Sequence, residues 1–188
     1  MANICDNELK LIAYNDEAIT VINEIRNKIK EKSEESFYSY LCPDSELWGT
    51  DERDFKFMNV SILHSSEREI HLHLATRWSP PVGAVEEFQT RMDDKEIDLS
   101  ISLTYIEPGC DFIGFYIDGD RDEMSLVDLY RRLVNGNDDK AKVFAKKVDA
   151  DVESLAEGYM CLKAMYGDEE SCTCALCLST AKNTHNQI

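Results

Sequence analysis

No stretch of this chain holds more than a few consecutive apolar residues, which excludes a membrane-spanning helix, since one needs roughly 20. The opening residues carry neither a basic start nor an apolar core, so no secretory leader is expected and the cytoplasm is the expected location. Basic residues are scarce: 20 Lys and Arg stand against 37 Asp and Glu, a formal net charge of −17. Such a chain repels nucleic-acid phosphates and is drawn to basic surfaces, so a basic protein partner is expected and direct nucleic-acid contact is not. No phosphate-binding glycine loop is present and no catalytic signature surrounds any cysteine or histidine, so a non-enzymatic protein without a cofactor is expected. The seven cysteines are odd in number and scattered through a core-rich chain, which points to free thiols.

What is present is a globular pattern, 43% hydrophobic over 188 residues, enough apolar area to offset chain entropy. Leu9, Leu11 and Ala13 alternate with polar neighbours and predict a first strand. Asn15-Asp16-Glu17 predicts the start of a helix over 16–32, with Ala18, Ile22, Ile25 and Ile29 as its buried stripe. Residues 33–54 read as a long connection whose aromatics form a satellite core, and 55–63 as a second strand. Ile70, Leu72, Leu74, Thr76 and Trp78 share one face of a third strand. There Thr76-Arg77-Trp78-Ser79-Pro80-Pro81 joins it to a second helix, with Ser79 as the expected cap. Val82, Val85, Phe88 and Met92 carry that helix, Leu99, Ile101, Leu103 and Tyr105 a fourth strand, and 111–118 a fifth.

The order strand, helix, strand, strand, helix, strand predicts an α+β, ferredoxin-like antiparallel sheet with two helices on one face, spanning residues 1–119. A helical extension over 120–168 follows, with helices at 122–134 and 138–166. The longer of these offers either a fold back along the sheet or a homodimer seam. Residues 169–188 are expected to form a polar tail.

Three stretches resemble a known family: Trp48-Gly49-Thr50, then Thr76 with Trp78-Ser79-Pro80-Pro81, then Tyr105-Ile106-Glu107-Pro108-Gly109 followed by Phe112 and Gly114. They are similar to the YubB-like family of small ferredoxin-fold proteins carried by bacterial plasmids and phages. The likeness covers about residues 1–119. It implies the fold and a mobile-element setting in a bacterial host, without implying an activity. Arg77 stands where that family has a small residue, and Asp51-Glu52-Arg53-Asp54 stands where it has a basic and aromatic pair.

Charge and resemblance together predict an inhibitor of a host nucleic-acid-handling defence system, of anti-CRISPR or antirestriction type, that occupies a basic surface. Its expected acidic surface comprises Glu107, Asp111, Asp118, Asp120, Asp122 and Glu123, crowded at one sheet end, with Asp149, Asp151, Glu153 and Glu157 on the long helix. The alternative is a small-molecule or enzymatic pocket near Trp48, Trp78, Tyr105 and Glu107. Cys161, Cys172, Cys174 and Cys177 have the donors for a zinc site, although only Cys174 and Cys177 have knuckle spacing, so tail thiols are expected instead. His71 and His73, two apart on one strand, permit a metal but fit an exposed sheet face better. Asp118-Gly119-Asp120-Arg121-Asp122 begins like a calcium loop, but Glu123 occupies the position that needs glycine.

Overall fold

A computed structural model describes residues 4–31, 34–43, 57–77, 79–107, 110–134 and 138–149. The chain is α+β and divides into two compact units, Met1–Glu123 and Met124–Ile188. The first is built on a six-stranded open antiparallel sheet in the order β2-β3-β1-β4-β5-β6. Strand β1 (Ile4–Ala13) lies between β3 (Glu69–Arg77) and β4 (Leu99–Glu107), antiparallel to both. It begins before the predicted start, because Cys5 and Asn7 continue the buried alternation of Leu9, Leu11 and Ala13.

Pairing fixes one buried face: Leu9 opposes Leu72 on one side and Leu103 on the other, and Leu11 opposes Ile70 and Ile101. All six are at most 1% exposed. Helices α1 (Asp16–Lys30), α2 (Glu34–Leu41) and α3 (Val82–Asp94) cover this face, three where two were expected. The additional helix, α2, lies in the stretch read as a connection. Its Phe37 and Leu41, four apart, are buried in the main core rather than in a satellite. Helix α1 begins as predicted, with the Asn15 side chain accepting the Ala18 N–H at 2.8 Å. Helix α3 does not: Pro81 is its cap residue and makes no side-chain cap bond. Ser79 lies two residues earlier, and its carbonyl instead accepts the Thr76 hydroxyl at 2.7 Å.

Both sheet edges are blunted. Edge strand β2 (Phe57–Ser65) shifts register between Phe57 and Asn59 and again between Ile62 and His64, irregularities that bend an edge away from further pairing. The other edge, β6 (Asp120–Met124), is exposed and charged from Asp120 to Glu123. It occupies residues expected to start a helix. Asp118 and Gly119, with φ of 47° and 90°, form a two-residue hairpin loop that returns the chain alongside β5 (Phe112–Ile117). The unit boundary accordingly falls after Glu123 rather than after Gly119.

In the second unit, α4 (Leu126–Val134) packs against α5 (Asp139–Val148). Ser125 caps α4, its hydroxyl accepting the Asp128 N–H at 3.1 Å, and Asp138 caps α5 through the Ala141 N–H at 3.0 Å. The expected unbroken helix to residue 166 is not formed. Helix α5 ends at Asp149, which takes a left-handed φ of 46° and donates its N–H to the Ala145 carbonyl. The remainder of that predicted helix, the homodimer seam it would supply and the polar tail lie outside the described residues.

Candidate functional site

The two ends of the sheet differ in chemistry. At one end the β2–β3 turn, the exit of β1, the α3–β4 turn and the β5–β6 loop meet. Ala13 donates to the Arg68 carbonyl at 2.8 Å, Tyr14 to the Asp98 carbonyl at 2.9 Å, and Asp118 to the Ile101 carbonyl at 2.9 Å. These contacts bring Asp16, Glu17, Glu67, Asp93, Asp94, Glu96, Asp98, Asp118 and Asp120 to one exposed rim. Among the described residues Arg68 reaches Asp16 at 3.7 Å, while Arg26 is engaged with Asn23, Ser65 and Ser66. Near the middle of the rim Tyr14 is 59% exposed, a large amphipathic ring at the centre of a charged surface.

The predicted acidic cluster is therefore divided. Asp118 and Asp120 belong to this rim, and Asp118 is also structural, accepting the Ile101 N–H at 2.7 Å and the Ser100 hydroxyl at 2.9 Å. Glu107 and Asp111 flank the β4–β5 connection at the opposite end, one β5 length away, roughly 20 Å. Asp122 and Glu123 lie between, exposed on β6. Glu107 is only 2% exposed and cannot belong to a docking surface. Asp149 terminates α5, while Asp151, Glu153 and Glu157 lie outside the described residues.

At the Glu107 end a polar row is buried beneath the helices. Asn7 is 1% exposed, and its amide nitrogen donates to the Leu74 carbonyl at 2.8 Å, the Cys5 carbonyl at 2.9 Å and Thr76 Oγ1 at 3.0 Å. Thr76 passes the chain of bonds to the Ser79 carbonyl. Across β4, the Tyr105 ring lies against Gly114 and meets Phe112 edge-on, centroids 6.2 Å apart. A Cβ at Gly114 would stand 2.4 Å from Tyr105 Cζ, so only glycine admits the ring. The motif residues Thr76, Ser79, Tyr105, Glu107, Phe112 and Gly114 thus converge, but in packing roles. Burial, reinforced by the charge of Glu107, pushes the Cys5 thiol far up and keeps it protonated, unsuited to nucleophilic attack. Burial and then the neighbouring Glu123 carboxylate likewise hold Tyr105 protonated. Trp48, Gly49, Thr50, Trp78 and Gly109 lie outside the described residues, as do Cys161, Cys172, Cys174 and Cys177.

Asn7 and Tyr14 escaped the sequence reading as functional candidates. Asn7 had a signal, being a polar residue on the core side of a period-two strand, whereas the exposure of Tyr14 depends on which turns surround it. On the open face, His71 bonds Glu69 at 2.7 Å, Lys10 reaches the same carboxylate at 3.0 Å, and His73 meets Asp6 at 3.2 Å. His71 and then Lys10 hold the Glu69 carboxyl down at about 2. Among the described residues no group of His, Cys, Asp and Glu is arranged to hold a metal ion.

A groove of about 320 Å³ opens between α1 and α3. Tyr40 of α2 borders it, donating its hydroxyl to Glu24 at 2.6 Å. Arg91 fastens α2 to α3 by donating to the Tyr40 carbonyl at 2.8 Å and to the Leu41 carbonyl.

Fold and surfaces together define an α+β protein with an open antiparallel sheet, covered by helices on one face and acidic at one end. No protein-family model, curated protein or solved structure matches the chain.

Proposed function

We propose that the protein is an acidic, non-enzymatic interaction protein that occupies a basic surface on a nucleic-acid-handling partner, in the manner of an anti-CRISPR or antirestriction inhibitor from a phage or plasmid. The carrying observation is the exposed rim of carboxylates around Tyr14, where one aromatic anchor sits inside a field of one sign. Such a rim steers a cationic partner, while the aromatic ring supplies desolvated contact area. The setting in a bacterial host rests on the sequence resemblance. A ferredoxin-like reading is supported by the order β2-β3-β1-β4 among the first four strands, with β5 and β6 added at one edge.

The test is affinity capture from bacterial extract, identification of the bound protein, and salt titration of the purified complex. Charge mimicry expects a basic nucleic-acid-binding protein whose affinity falls steeply with salt. The double variant Asp98→Lys, Asp120→Lys is expected to weaken that complex at least tenfold, and Tyr14→Ala to speed its dissociation. Salt-independent binding, or binding unaffected by both variants, sinks the proposal.

A further inference from the structure

The groove between α1 and α3 has a chemistry of its own. Its volume of about 320 Å³ falls within the range of small-molecule sites, roughly 300–1,000 Å³. Helix α1 contributes Glu17 and Glu24 to one wall, and the end of α3 contributes Arg91 and Lys95 to the other. Val21, Met92 and Ile97, buried or partly buried, supply apolar lining between them.

The opposite charges do not pair across the space. Glu24 is held by the Tyr40 hydroxyl, which burial and Glu24 itself keep protonated and donating. Arg91 faces the α2 carbonyls and, at 3.6 Å, Glu87. Among the described residues, the side chains of Glu17 and Lys95 make no ion pair. A simple anion in this groove would face Glu17 and Glu24, and a simple cation would face Lys95 and Arg91. A zwitterion satisfies both walls at once, and the apolar lining asks for a hydrocarbon or thioether side chain.

We propose that this groove binds a free amino acid with an apolar side chain, its ammonium toward Glu17 and Glu24, its carboxylate toward Lys95 and its side chain on Val21, Met92 and Ile97. The groove shares Glu17 and Lys95 with the edge of the Tyr14 rim, but amino-acid binding there does not depend on the rim's binding a partner. The test is thermal unfolding and methyl NMR of the full chain with millimolar leucine, methionine or phenylalanine. At least one of the three raises Tm by several degrees and shifts the Val21 and Ile97 methyl signals, as a ligand of the folded state must. The N-acetylated and amidated forms, each lacking one charge, leave Tm unchanged. Glu17→Gln and Lys95→Gln, at exposed positions, retain the unliganded Tm and lose the ligand-induced rise. No rise with any of the three amino acids overturns the proposal, as does an equal rise with the blocked forms or in both variants.

Discussion

The same antiparallel strands end in two unlike ways. At the Tyr14 end the strand termini open into turns, so the carboxylates there stay hydrated and cost the fold little. At the Glu107 end the side chains are buried, and specific contacts place Asn7 through three acceptors, Thr76 through Asn7 and Ser79, and the Tyr105 ring against Gly114. A family-like motif and a dense charge cluster both look functional in one dimension. Burial separates them, since a buried polar group must satisfy its bonds and an exposed one is available to a partner.

The largest effect expected from this contrast is at Gly114. Gly114→Ala forces a Cβ into the Tyr105 ring and should cost about 3 kcal/mol in urea unfolding. In a double-mutant cycle Tyr105→Leu should recover part of that loss; purely additive effects would mean that the ring and the glycine are not coupled. Next is Asn7→Ala, which removes the donor shared by the Leu74 and Cys5 carbonyls and Thr76, with an expected loss of about 2 kcal/mol. At the other end, the Asp98→Lys, Asp120→Lys variant, proposed to weaken partner binding, should leave stability within about 0.5 kcal/mol of the parent. A large loss there would erase the distinction between the ends.

The smallest effect is a pH dependence. The Glu69 carboxyl titrates at about 2 in the folded chain because His71 and then Lys10 favour its charged form, while in the unfolded chain it titrates near 4.3. Its contribution is therefore complete above the unfolded value and is lost as pH falls toward 2. Glu69→Gln should lower Tm slightly near neutrality, where the contribution is complete, and flatten the decline of Tm across that window until variant and parent converge near pH 2. An unaltered acid limb would show that the His71–Glu69–Lys10 contacts do not persist in solution.

The elements legible in the sequence were those whose pattern is local. The alternation of β1, β3 and β4, the Asn15 cap and the stripes of α1 and α3 depend on periods of two and 3.6, which burial on one face imposes directly. Strand β6 has a local signal, since Asp118-Gly119 is a hairpin dipeptide, but the Leu126, Leu129 and Leu133 spacing predicts a helix whose start, placed at residue 122, overlaps the strand. Helix α2 was hidden because a short helix carries few apolar repeats, and among its described side chains the fully buried pair is Phe37 with Leu41. Helix α5 stops at Asp149 although the apolar spacing continues beyond it, because a single left-handed residue ends a helix whatever pattern follows.

By itself the sequence determined the α+β class, the buried face of the central strands and the strongly acidic character, all of which follow from residue type and spacing. Only the tertiary structure decided that Glu107 is inside while Asp118 and Asp120 are at the far end, that Tyr14 stands amid carboxylates, and that Glu17 faces Lys95 across a groove. Those relations join residues far apart in the chain, and they come from strand order and pairing register, to which local periodicity is blind.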